Sequence, residues 1–161
     1  MKTRLVGTSA VIALVAALAV ASQAMAATTV PVKMSFTEQI VQDVRSGCPV
    51  IQEGLCGQGI VLPYGHATET IVFGGACGGG CDLRTVNLPG GSLYIDESFS
   101  NPTCPGSCRP NPAEPDSGTL TDTVVGGTGM FAGATGNVSG SVTAAGPESS
   151  IRLSGTIRLT P

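Results

Sequence analysis

The chain is expected to fold as an all-β protein, a closed antiparallel β-barrel of seven or eight strands stapled by disulfides. Three observations predict it. Apolar and β-branched residues recur at every second position in one segment after another, which gives each segment one face for a core and one for solvent. Glycine (23 residues) and proline (11) punctuate the 161-residue chain between these segments, and no stretch shows convincing helical spacing. The six cysteines are an even number. Seven or eight short strands must close on themselves or pack as two sheets, and closure removes the exposed edges. A β-sandwich is the competing arrangement, and the absence of any tryptophan gives it no support.

Residues 1–26 precede the fold. Lys2 and Arg4 stand before an apolar run from Val11 to Val20, and Ala24-Met25-Ala26 follows. A run this short, ending in an A-x-A pattern, reads as a secretory signal peptide rather than a membrane span of about 20 residues. Residues 27–161 then form one domain with no break in composition, expected to be secreted, extracellular or periplasmic. Nothing after residue 26 is apolar enough for long enough to enter a bilayer. Without Lys2 and Arg4, six basic residues face eleven acidic ones, a formal charge of −5, which argues against a nucleic-acid partner.

In the first predicted strand, Val32, Met34, Phe36, Glu38 and Ile40 share one face while Lys33, Ser35, Thr37 and Gln39 share the other. Its continuation through Val41 and Val44 is open to a helical turn. Residues 48–63 read as a loop or short strand, with Ile60-Val61-Leu62 its most strand-like part. Further strands are expected at 67–73, 83–88, 92–99, 119–125, 135–144 and 151–159. Pro89-Gly90-Gly91 marks a tight hairpin, and the proline-rich stretch 101–115 a long irregular connection.

Between the sixth and seventh of these, Val124-Val125-Gly126-Gly127-Thr128-Gly129-Met130-Phe131-Ala132-Gly133-Ala134-Thr135-Gly136 joins a β-branched run to a glycine-rich turn and a new strand. It resembles the Gly-Gly-Thr-Gly-x-Phe-x-x-Ala-x-Gly segment of the dirigent and allene oxide cyclase-like barrel family, in which the chain looks like a bacterial secreted member. The resemblance covers the last forty residues or so, and the earlier strands only in pattern. It implies a barrel, and by analogy self-association; the family includes cyclases, stereochemical guides and secreted barrels without known activity. No catalytic motif of the family matches residue by residue, and the six cysteines depart from the plant pattern. Gly127 to Ala132 also fits a loose G-x-G-x-x-A dinucleotide turn, but no helix follows to receive a pyrophosphate, so no cofactor is expected.

Cys48, Cys56, Cys77, Cys81, Cys104 and Cys108 all fall after the export segment, so three disulfides are expected. Local pairs are favoured, Cys48 with Cys56, Cys77 with Cys81 and Cys104 with Cys108, although fifteen pairings exist. Zinc is not expected: the paired cysteines are separated by three residues rather than the commoner two, and His66, the single histidine, belongs to neither pair.

The candidate chemistry is a set of charged residues on apolar faces. Glu38 alternates with Met34, Phe36 and Ile40; Glu69 with Ala67, Ile71 and Phe73; Glu97 with Leu93, Ile95 and Phe99; Arg84 with Val86 and Leu88. Strict alternation turns three carboxylates and one guanidinium inward, where burial raises carboxyl pKa values and the arginine lowers them. Tyr64 and His66 are placed at the same mouth, so that Tyr64, His66, Glu97 and Arg84 form the expected ligand site. The function expected is a non-catalytic barrel that binds a small apolar or aromatic ligand or a surface partner. The alternative is a cofactor-free isomerase or cyclase working through Glu97, Glu38, Glu69 and Arg84.

Overall fold

The computed structural model describes residues 26–41, 54–74, 81–100 and 116–161. Eight strands form one closed barrel: β1 (Thr28–Val41), β2 (Gly54–Leu62), β3 (Gly65–Val72), β4 (Asp82–Leu88), β5 (Gly91–Ser100), β6 (Asp116–Gly127), β7 (Thr135–Ala145) and β8 (Glu148–Leu159). Each pairs antiparallel with the next, and β8 returns to β1 with Phe36 opposite Ile151. No edge is left unpaired among them. Residues 1–25 of the export segment, the connection 101–115, Val44, and Cys48, Cys77, Cys104 and Cys108 lie outside the described residues.

The alternation seen in the sequence is the inward face of the barrel. Val32, Met34 and Phe36 of β1, Val86 and Leu88 of β4, Leu93 and Ile95 of β5, and Ile151, Leu153 and Ile157 of β8 belong to one buried cluster. Burying side chains of this size contributes about 1.5–3 kcal/mol each.

Several local expectations are corrected. The segment read as loop or short strand is a full strand, β2, because it pairs along both sides, with β1 and with β3. Its alternation is hidden because two inward positions are glycines, Gly57 and Gly59. Ile60 and Leu62 face outward, 44% and 55% exposed. The end of β1 remains sheet through Val41. Phe73 lies past the end of β3 in a turn and is 40% exposed, while Phe99, at the end of β5, is 41% exposed. Alternation counts residues without knowing where pairing stops. In β6 the register slips opposite Tyr94 and Ile95, which pair with Gly126 and Val124. Val125 is the extra residue of this bulge, so Val124 stays inside and Val125 faces out.

The two ends of the barrel differ. At one, the turn end, β2–β3 and β4–β5 are joined by short turns and β6–β7 by the glycine-rich segment. That segment contains a single 3-10 turn, Gly129–Phe131, in place of a plain strand connection. Gly129 has φ +58°, in the left-handed region, and the neighbouring Met130 and Thr128 amides donate to the carbonyls of Gly90 and Ser92 at 2.9 and 2.8 Å. The segment is thereby pinned to the β4–β5 turn, and Phe131 is driven into the barrel with no exposed surface. Tyr64 meets it edge to face, with ring centroids 5.0 Å apart. The opposite, loop end receives the β1–β2, β3–β4, β5–β6 and β7–β8 connections. The six cysteines fall in the first three of these or, for Cys56, near the start of β2.

Candidate functional site

Toward the loop end the barrel interior changes from apolar to charged. Glu38, Glu69, Arg84, Glu97 and Asp122, from β1, β3, β4, β5 and β6, are between 0% and 6% exposed. Five strands each contribute one group because each places it on its inward face at this level. Gly57 makes the convergence possible. It pairs with Glu38 on one side and Glu69 on the other. Having no side chain, it lets the two carboxyls meet across β2; a Cβ there would stand 2.5 Å from Glu69 Oε1 and 3.0 Å from Glu38 Cγ.

Arg84 is the hub. Its Nη1 donates to Glu38 Oε1 at 2.9 Å and also to Glu69 Oε2, and its Nε donates to Glu97 Oε2 at 2.8 Å, with Nη2 donating to the same oxygen. Ser149 of β8 closes the ring by donating from Oγ to Glu38 Oε2 at 2.7 Å. One guanidinium therefore serves three carboxyl groups in a fixed fork geometry.

Four buried carboxyls against one cation cannot all be ionised at moderate cost. Burial would by itself lower the Arg84 pKa, but the charges of Glu97, Glu69 and Glu38 outweigh it and hold the guanidinium well above its ordinary value. Burial pushes Glu69 well up, Arg84 opposes this, and the adjoining Glu38 carboxyl adds to the rise. Glu97 is raised by burial and partly restored by Arg84. Asp122 goes from 3.8 to about 7, first through burial, then through the neighbouring Glu97, with Arg84 opposing.

Asp122 stands apart from the fork. Neither of its carboxyl oxygens makes a hydrogen bond of standard geometry, nor does Glu69 Oε1. The Ser98 amide lies near enough to Asp122 to favour its charged form somewhat, without displacing the effect of burial. Near neutral pH Asp122 is thus partly protonated in the buried interior, able in that form both to donate and to accept a hydrogen bond.

The three glutamates and Arg84 are together as the alternation predicts. Asp122 was missed, although Leu120-Thr121-Asp122-Thr123-Val124 carries the same signal as the segment around Glu97. Tyr64 and His66 do not belong to this site. Tyr64 sits at the turn end, against Phe131, with its buried hydroxyl unpaired and its pKa raised by burial. His66 is exposed on the outer wall opposite Ile60. The two residues are separated by Gly65 alone, but a turn and a strand start send them to different surfaces. Among the described residues no group of three or more histidine, cysteine or acidic side chains is arranged to hold a metal ion. The arginine occupies the centre that a cation would need.

No protein-family model matches the chain, and no curated protein and no solved structure matches it either.

Proposed function

We propose that this protein is a secreted barrel of the dirigent and allene oxide cyclase-like kind that binds a small apolar ligand bearing a polar group, without transforming it, at the charged end of its interior. The observation that carries the reading is the surplus of acid: two carboxyl groups, Glu69 and Asp122, retain unpaired oxygens inside the barrel. A core built for stability alone gains from replacing such groups by apolar ones, so their presence points to a ligand with complementary polar atoms. The apolar side chains packed beneath fill the barrel under this charged level.

The family reading is supported by closure of eight strands in sequential order, with the glycine-rich motif joining β6 to β7. Export is supported by the start of β1 at Thr28, just beyond Ala24-Met25-Ala26. Disulfide staples across the loop end are part of the proposal. They are supported by the absence of a free thiol at Cys56 and Cys81, the two cysteines among the described residues.

A second reading, cofactor-free isomerisation, draws on Asp122, whose pKa of about 7 suits a general acid at neutral pH. One experiment addresses both. Titration of isotope-labelled protein with 2-naphthol, and with naphthalene as the apolar control, is expected to give saturable amide shifts at Glu97, Leu120 and Asp122 with the hydroxylated probe. No saturable shift, or shifts confined to the outer wall, would overturn the interior site. Isomerisation of styrene oxide by the parent but not by Asp122→Asn would replace binding by catalysis, since the amide keeps shape and hydrogen bonding while losing the proton.

A further inference from the structure

The outer wall carries a second arrangement, independent of the interior. Across β6, β7, β8, β1 and β2, one cross-strand row runs Thr121, Ser139, Ser154, Lys33, Leu62. The adjacent row runs Thr119, Ser141, Arg152, Ser35, Ile60. Neighbouring strands stand about 4.8 Å apart, so hydroxyl groups, two cations and an apolar ledge share one compact grid.

Charge is concentrated here. Lys33, Arg152 and Arg158 are the exposed cations among the described residues, all on β1 and β8, and none has an ion-pair partner among them. Their cross-strand neighbours are Ser154 and Leu62, Ser35 and Ser141, and Thr29 and Thr135, with no acid in either direction. On a chain of formal charge −3 this wall is locally positive. Between Lys33, Arg152 and the ledge of Ile60 and Leu62 lies a shallow concavity of about 540 Å³, with Ser139, Gly140 and Ser154 also lining it.

We propose that this wall docks an acidic polysaccharide: a glycan chain lies across the strands, its carboxylates at Lys33 and Arg152, its hydroxyls on the serines, and the apolar face of a sugar ring on Ile60 and Leu62. Each feature of the grid has a counterpart in that ligand. An anionic bilayer would use the cations and the two aliphatic side chains but leave the hydroxyls idle. Single-stranded nucleic acid would call for stacking aromatics, and the grid has none.

The test is calorimetric titration of the protein with short oligogalacturonates, with their methyl esters as the uncharged control and anionic phospholipid vesicles as the competing surface. Binding is expected with the free acids, weakening as salt is added. The double variant Lys33→Ser/Arg152→Ser is expected to lose about tenfold or more in affinity, since each cation makes a charge-assisted hydrogen bond. Leu62→Ser should weaken binding less, and melting curves check that these surface changes leave the fold intact. Absence of binding, equal binding of the methyl esters, or unchanged affinity in the double variant overturns the proposal. Binding to the vesicles and not to the glycan assigns the wall to membranes and overturns it equally. Naphthol shifts at Glu97 and Asp122 report on the interior alone, so either site can fail without the other.

Discussion

Replacing Asp122 by asparagine should make the protein more stable near neutral and alkaline pH. The carboxyl is fully buried and its pKa rises from 3.8 in the ordinary case to about 7 in the barrel. A raised acid binds its proton more tightly when folded. Its ionised form therefore opposes folding, with no penalty below the unfolded pKa near 4, a growing one as pH climbs, and a full one above about 7. Roughly three pKa units at 1.36 kcal/mol each set an upper bound of about 4 kcal/mol. The buried amide of asparagine lacks partners as the protonated carboxyl does, so that cost cancels between variant and parent. The net expectation is up to about 4 kcal/mol of added stability near pH 8 and little change near pH 4. Urea denaturation across this range reads both, since midpoints of parent and variant should diverge as pH rises. A variant no more stable than its parent near pH 8, with the same pH slope, would show that Asp122 is not a dry acid.

Two further outcomes follow from the turn end and the cysteines. Gly129→Val should lower stability by more than about 1 kcal/mol, because φ is +58° and the added Cβ would run into the Gly90 carbonyl; an unchanged melting temperature would remove the conformational demand placed on the motif. Intact-mass measurement after alkylation without reductant should show no adduct on any of the six cysteines, and a labelled thiol would end the three-disulfide framework.

The charged site was largely legible because a strand's period of two is a local property. Glu38, Glu69, Glu97 and Arg84 could each be assigned to an apolar face from four or five neighbouring residues. Asp122 obeys the same rule between Leu120 and Val124, so its omission was a failure of reading rather than of signal. β2 was harder, since Gly57 and Gly59 leave blanks where apolar residues would mark the inner face, and those blanks are what the crossing carboxyls and Phe36 require. Tyr64 and His66 were grouped with the acids because they precede a strand that carries one. Their separation depends on where a turn ends and a face begins, which alternation does not record.

Apart from β2 and the strand ends at Phe73 and Phe99, the sequence by itself determined which segments are strands, which side of each is buried, and where the glycine-rich segment must turn. Those properties follow from sterics and burial acting over a few residues. The tertiary structure alone decided that β1 closes on β8, that five strands bring four carboxyls and one arginine to a common level, and that the charged groups gather toward one end of the barrel while Tyr64 and Phe131 fill the other. Arg84 and Glu38 are 46 residues apart in the chain and in contact in space. That contact depends on the relative registers of four consecutive strands, a sum of pairings to which no single stretch of sequence holds the key.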